Sequence, residues 1–136
     1  MKTIHIYFPA KGRPTVIPDT ETCLSEETII FDIYSENPYI EAVNLAFDDT
    51  AATIFCCPGD AQGERKHHCK VDLAELTNPP GQRTGVAWGI ALKHEDELPR
   101  SLKYTITPFV LGNPYKDGEV DPFIIITKRP VVAKAD

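Results

Sequence analysis

Three of the four cysteines and two of the four histidines lie between positions 56 and 69. Cys56 and Cys57 precede a polar loop, and His67, His68 and Cys69 follow it. Thiolate sulfur and imidazole nitrogen are the ligands that zinc prefers, and a thiolate is also the nucleophile of cysteine enzymes. This stretch is therefore the first candidate for a metal site or a reactive thiol.

Strand alternation limits which of these side chains can act together. If the two segments form a hairpin, residues two apart share a face, so His67 and Cys69 point to the same side. Adjacent Cys56 and Cys57 point apart, so only one of them joins the pair. The predicted metal set is Cys57, His67 and Cys69, with Cys56 as the alternative to Cys57. In structural zinc sites the paired ligands are separated by two or more residues, whereas the paired cysteines and paired histidines of this stretch are adjacent.

The same stretch admits two other interpretations. Arg65 and Lys66 place positive charge near Cys57 and Cys69, and positive charge lowers a thiol pKa. The sequence shows no third orienting group and no oxyanion-hole pattern. Free cysteine is also among the most often buried residue types, so the cysteines can be small core fillers. We therefore expect no cofactor, with zinc as the alternative, and a non-catalytic function, with a zinc-binding or thiol-dependent protein as the alternative.

The composition is that of one ordinary globular domain. The chain has 136 residues, of which 42% are hydrophobic and 25% charged. Twelve prolines and eight glycines are more than a helical bundle tolerates. The N-terminal segment has no signal-peptide pattern, and no apolar run is long enough for a membrane helix. The sequence thus predicts a cytoplasmic protein with reduced thiols and no membrane partner.

Acidic residues dominate the first half of the chain. Between Arg13 and Arg65 there is no Lys or Arg, while the same span carries eleven Asp and Glu residues. Such a surface repels a phosphate backbone, so we expect no nucleic-acid partner. The acids fit a solvated face that keeps the protein soluble, and they also fit a docking surface for a basic partner or a divalent cation.

Short runs of β-branched and aromatic residues, separated by Pro and Gly turn signals, predict strands along most of the chain. The expected strands cover residues 4–8, 15–17, 28–34, 40–47, 53–56, 68–73, 84–92, 102–111 and 123–127. Segment 40–47 also fits a helix begun by Asn37 and Pro38, but its alternation favours a strand. Residues 18–26 are expected to be a polar connection, residues 73–76 a helical turn, and Asp117-Gly118 a tight hairpin turn.

This pattern predicts an all-β fold. We expect a single-domain antiparallel Greek-key β-sandwich of about seven to nine strands, with at most one or two short helical turns. The sandwich would span residues 1–129, with residues 130–136 as a C-terminal tail.

The order of segments 28–34, 43–47, 102–111 and 121–126 resembles Greek-key sandwiches of the cupredoxin-like or immunoglobulin-like kind. A blue-copper site needs two histidines, a cysteine and usually a methionine near the last strand. Met1 is the only methionine, and residues 111–121 contain neither Cys nor His, so a copper site is not expected. All four cysteines precede Trp88, so the Cys, Trp, Cys order of immunoglobulin domains is absent as well.

The two longest predicted strands, 84–92 and 102–111, are candidates for partner binding. An edge strand can accept a strand from a protein partner or from a second copy, giving a homodimer. Pro108 favours residues 102–111 as the edge, because proline lacks a ladder donor. The sequence therefore predicts a soluble, non-catalytic binding or accessory domain.

Overall fold

Two sheets of six strands each form the described part of the chain, which in this computed structural model comprises residues 1–56, 64–93 and 97–129. The strands are β1 (Lys2–Phe8), β2 (Thr15–Ile17), β3 (Thr20–Leu24), β4 (Thr28–Ser35), β5 (Ile40–Phe47), β6 (Phe55–Cys56), β7 (His68–Asp72), β8 (Ala74–Glu75), β9 (Arg83–Ile90), β10 (Arg100–Val110), β11 (Asn113–Pro114) and β12 (Phe123–Thr127). No helix of the described residues is long and apolar enough to cross a membrane. The predicted tail, residues 130–136, lies outside these ranges.

The strand order places sequence neighbours from β2 to β8 in different sheets. Sheet 1 has the order β2-β1-β4-β9-β6, with β8 also on β9, and sheet 2 has the order β3-β12-β10-β5-β7, with β11 on β10. The predicted all-β sandwich is confirmed. It differs from a purely antiparallel one because β1 pairs with β4, and β3 with β12, in parallel. The chain leaves sheet 1 after β2, forms β3 in sheet 2, and returns as β4 on the other side of β1.

Two segments differ from their predicted structure. Residues 18–26 contain β3, where Cys23 is buried and the backbone pairs with β12, although the flanking Thr and Glu residues suggested a polar connection. Residues 74–75 form β8 against β9 instead of a helical turn. Both are edge segments in which backbone pairing outweighs weak local propensity.

The hairpin turn after β10 lies earlier than predicted. Leu111 and Gly112 have positive φ angles of 52° and 79°, and they join Val110 to its partner Asn113. Two consecutive left-handed residues make the tight turn that a two-residue hairpin needs. Asp117 and Gly118 instead belong to a 3-10 turn at Lys116–Gly118.

The prediction that residues 40–47 form a strand is confirmed by β5. The register between β5 and β10 shifts between Phe109 and Val110, which pair with Ala42 and Ile40. Glu41 is therefore the extra residue of a bulge. The bulge explains why Ile40 and Val43 are both buried although they are three residues apart.

The prediction that residues 102–111 form an edge strand is wrong. β10 lies inside sheet 2, with β5 on one side. On its other side, the first part of β10 pairs with β12 and the rest contacts residues 113–122. Tyr104 and Ile106 direct their backbone groups towards Pro122 and Val120, so the missing donor of Pro108 faces the same irregular side. Pro108 contributes its carbonyl there, which accepts from the Tyr115 amide at 2.8 Å. Strand 84–92 is also interior, since β9 lies between β4 and β6.

An aromatic cluster joins the two sheets across the core. Phe31 of sheet 1 contacts Phe55 with ring centroids 5.1 Å apart and Tyr104 of sheet 2 at 5.6 Å. Phe47 contacts both Phe55 and Tyr104, at 5.2 and 5.4 Å. These four rings are almost completely buried, so they fix how the sheets pack.

The Tyr104 hydroxyl is buried and has no hydrogen-bond partner among the described residues. Burial raises the pKa of this hydroxyl above its usual value, since the charged form is the more heavily desolvated. A buried polar group without a partner reduces stability. We expect Tyr104→Phe to raise the free energy of unfolding by about 1 kcal/mol, measured by urea denaturation. A loss of stability would show that the hydroxyl has a partner.

Candidate functional site

The two ends of the Cys/His stretch are paired in the structure. Phe55 and Lys66 form an isolated antiparallel bridge, with both N···O distances at 2.9 Å. This bridge closes the loop between β6 and β7 at its base. Residues 57–63, including the metal candidate Cys57, lie outside the described ranges.

The described cysteines of this stretch lie on different sheets. Cys56 pairs with Trp88 in sheet 1 and is partly exposed. Cys69 pairs with Leu45 in sheet 2 and is buried in the core. The Cys56 side chain therefore lies on the outer side of sheet 1, while that of Cys69 lies between the sheets.

The two histidines lie at the start of β7. Their rings contact each other edge to face, with centroids 4.7 Å apart, and the His67 carbonyl accepts from the Phe47 amide at 2.8 Å. Within residues 1–56, 64–93 and 97–129, no three His, Cys, Asp or Glu side chains form a group that could hold a metal. The set of Cys57, His67 and Cys69 stays a prediction, because Cys57 is not among those residues.

Burial controls the chemistry of the described thiols. It raises the pKa of the Cys23 thiol to about 12, and the nearby Glu21 and Glu27 carboxylates act in the same direction. Burial also raises the pKa of Cys56, and the charge of Arg65 opposes the shift only in part. A raised pKa leaves less thiolate at neutral pH, which is the opposite of what a poised nucleophile needs.

We expect these thiols to react slowly with iodoacetamide. In a Cys57→Ser variant at pH 7, Cys56 should alkylate more slowly than a free peptide thiol, and its rate should rise as the pH approaches the raised pKa. Cys23 and Cys69 should react only after unfolding, because both are buried. Peptide mass mapping of the alkylated chain measures each site. Fast alkylation of Cys56 at pH 7 would contradict this expectation and favour the thiol-dependent alternative.

A second candidate site lies on the outer face of sheet 1. Alternation along the strands turns one set of side chains away from the core. We call this surface the Trp88 face, and it comprises Thr3, His5, Tyr7, Thr15, Ile17, Ile30, Asp32, Tyr34, Cys56, Thr84, Val86 and Trp88. Three of its large apolar members are well exposed: Ile17 is 60%, Val86 52% and Trp88 46% exposed.

Few charges interrupt this surface. His5 and Asp32 pair across β1 and β4, with 3.4 Å between Nδ1 and Oδ2. Tyr7 and Tyr34 are stacked, with ring centroids 5.9 Å apart and an interplanar angle of 10°. The Tyr34 hydroxyl donates to the Gln82 side-chain oxygen, which fixes the ring. The face is therefore largely apolar and aromatic, with one weak ion pair near its middle, the Glu36 carboxylate beside Tyr7 and the Arg65 charge near Cys56.

The outer face of sheet 2 has a different character. Lys103 lies 3.6 Å from an Asp48 carboxylate oxygen and 3.8 Å from one of Asp121, and Thr105 donates to Asp121 at 2.8 Å. Its exposed aromatic residue is Phe123, at 41%. Because charged and hydroxyl groups surround it, Phe123 makes a matched control for Trp88.

The sequence of β9 holds a signal for the Trp88 face. In β9, Val86, Trp88 and Ile90 alternate with Gly85, Ala87 and Gly89, so one side carries large residues and the other small ones. A Cβ on Gly89 would lie 2.6 Å from the Ile54 carbonyl oxygen, so the inner side has no room for a side chain there. The small residues therefore face the core, and the large residues face outward.

Comparisons with known proteins add little to this picture. No protein-family model and no curated protein matches the chain. Among solved structures, the chain is similar to the crystal structure of Fet3p, a multicopper oxidase that functions in iron import. The TM-score is 0.43 and the identity 10%, and the match covers 100% of this chain and 30% of that chain.

Proposed function

We propose that the protein is a non-catalytic protein-binding domain and that its partner docks on the Trp88 face. The observation that carries the proposal is the exposure of Ile17, Val86 and Trp88 on one side of one sheet. Val86 and Trp88 are neighbours on the outward side of β9, and Ile17 lies on the other side of the His5–Asp32 pair. Large exposed apolar side chains that share one face are characteristic of interaction sites. The proposal includes the type of fold, a cupredoxin-like or immunoglobulin-like sandwich without a copper site. The two-sheet architecture supports this interpretation.

Electrostatics favour a protein partner on this face. The chain has a net charge of −6, yet the Trp88 face carries a single His and a single Asp, paired with each other. Docking there desolvates few charges, and desolvated unpaired charges are the main cost of burying a surface. Exposed Trp and Tyr side chains supply most of the binding energy in interfaces of this kind.

Strand addition at a sheet edge is a weaker alternative within the described residues. The edge strand β2 has three residues and is flanked by Pro14 and Pro18, which cannot donate to a partner strand. At the edge of sheet 2, β7 has five residues with exposed His68, Lys70 and Asp72. Short, proline-flanked or charged edges disfavour strand addition, so the sheet face is the preferred docking surface.

The test compares Trp88→Ala with Phe123→Ala. Proteins from a native extract that bind immobilised wild-type chain and Phe123→Ala, but not Trp88→Ala, should be purified and titrated by calorimetry. We expect Trp88→Ala to weaken binding of such a partner by at least about tenfold, while Phe123→Ala changes it less than about threefold. The proposal fails if Trp88→Ala retains the same proteins with the same affinities, provided that both variants unfold at similar temperatures.

A zinc site at the Cys/His stretch is the second candidate function. The observation that favours it is the Phe55–Lys66 bridge, which brings together the backbone on which Cys56 follows Phe55 and the backbone on which His67 follows Lys66. Elemental analysis of untagged protein should then give one zinc per chain, and Cys69→Ser should remove it. Metal-free protein of unchanged stability would rule this candidate out. His5→Ala is the control, since His5 lies on the Trp88 face.

A further inference from the structure

We infer that the partner on the Trp88 face is a second copy of this chain, bound face to face. This inference rests on the proposed docking surface and adds the identity of the partner. The central row of the face reads Ile17, His5, Asp32, Val86 across β2, β1, β4 and β9, because His5 pairs with Ile17 and with Asp32, and Asp32 pairs with Val86. The row is therefore apolar, basic, acidic, apolar.

This row is complementary to itself under a two-fold axis. If the axis lies in the interface and runs along the strands between β1 and β4, each β1 residue faces the β4 residue at the same level in the other copy. His5 then faces Asp32 of the partner subunit, and Ile17 faces Val86 of the partner subunit. Apolar residues meet apolar residues, and the basic group meets the acidic one.

The row on the Tyr7 side of the central row obeys the same symmetry. Tyr7 pairs with Thr15 and with Tyr34, and Tyr34 pairs with Thr84. The row is therefore Thr, Tyr, Tyr, Thr, which reads the same in both directions. Tyr7 would face the partner's Tyr34, and Thr15 would face the partner's Thr84, so two rings from each copy would meet at the centre.

Charge also favours a second copy at this surface. Two chains of net charge −6 repel each other wherever their acidic surfaces meet. On the Trp88 face the His5 and Asp32 groups are matched in position, so a second copy would place each His5 imidazole against the Asp32 carboxylate of the partner subunit and not acid against acid. Isologous dimers are the commonest assemblies of soluble proteins, and their interfaces require self-complementary patches of this kind.

The test uses two variants that carry opposite changes on the central row. Sedimentation equilibrium of the wild-type chain at up to about 100 µM should show a dimer. His5→Asp should raise the dimer Kd by at least about tenfold, because two carboxylates then face each other. Asp32→Lys should raise it as well, because an ammonium then replaces the carboxylate that faces the His5 imidazole. An equimolar mixture of the two should restore a dimer, since the new carboxylate at position 5 of one variant faces the new ammonium at position 32 of the other.

The possible outcomes distinguish the second-copy inference from the docking proposal. A monomeric wild-type chain, or variants that fail to combine, would overturn the second-copy inference. The docking proposal survives that failure if Trp88→Ala still loses a captured protein that Phe123→Ala keeps. Circular dichroism and thermal unfolding of both charge variants show whether misfolding causes any loss of association. We expect both to fold, because the His5 and Asp32 side chains are 60% and 45% exposed and neither residue belongs to the hydrophobic core cluster.

Discussion

Phe31→Ala is expected to lower the free energy of unfolding by about 4 kcal/mol, the largest effect of any single change considered for this chain. Phe31 is fully buried in β4, and its ring contacts Phe55 and Tyr104. Removing the ring loses its transfer free energy and leaves a cavity between the two sheets that the surrounding rings cannot fill. Urea denaturation followed by circular dichroism measures the change.

The matched control is Phe123→Ala, which removes the same atoms from a side chain that is 41% exposed. We expect a loss of about 1 kcal/mol or less, since most of this ring's transfer free energy is not realised in the folded state. Equal losses for Phe31 and Phe123 would mean that Phe31 does not lie in a packed core, contrary to the sandwich described above.

Gly89→Ala should lower the free energy of unfolding by about 3 kcal/mol. The new Cβ would lie 2.6 Å from the Ile54 carbonyl oxygen and 2.8 Å from the Ile54 Cγ2 atom. That carbonyl accepts the Ile90 amide at 3.1 Å, so the backbone of residue 54 cannot move without weakening a hydrogen bond. The substitution therefore forces β6 and β9 apart beside the Trp88 face.

Gly85→Ala provides the contrast within the same strand. Its Cβ would meet Leu73 Cδ2 and Val71 Cγ1, both side-chain atoms, at 2.8 Å, while the nearest backbone atom, the Asp72 carbonyl oxygen, lies at 3.3 Å instead of 2.6 Å. We expect a loss of about 1 kcal/mol, because side chains yield more readily than backbone. If Gly85→Ala proves as destabilising as Gly89→Ala, backbone proximity is not the cause.

Much of the fold could be predicted from local sequence. β4 and β12 are runs of β-branched and aromatic residues, whose propensity and alternation are strong. β3 could not be predicted, because its Thr and Glu residues become a strand only when β12 supplies backbone partners. The interior position of β10 could not be predicted from the sequence for a similar reason. Pro108 argues for an edge unless an irregular segment covers one side, and that depends on the tertiary fold.

The candidate site could also be predicted only in part. Cys56 and Cys69 are neighbours in sequence around one loop, yet β6 joins sheet 1 and β7 joins sheet 2, so their side chains point to different sides. Only the sheet order reveals this separation. The outward position of Trp88 could have been predicted, because Gly85 and Gly89 mark the other side of β9 as the close-packed one. The self-complementary row could not, since it depends on the register of four strands.

The most direct test of the docking surface is photo-crosslinking from the Trp88 face itself. A photoreactive phenylalanine analogue placed at position 86 lies on that face, and the same analogue at position 123 lies on the outer face of sheet 2. Irradiation in a native extract should give a discrete crosslinked protein from position 86, either a second copy of the chain or another partner, and little or none from position 123. Equal crosslinking from both positions, or crosslinking from position 123 alone, would contradict the assignment of the Trp88 face as the binding surface.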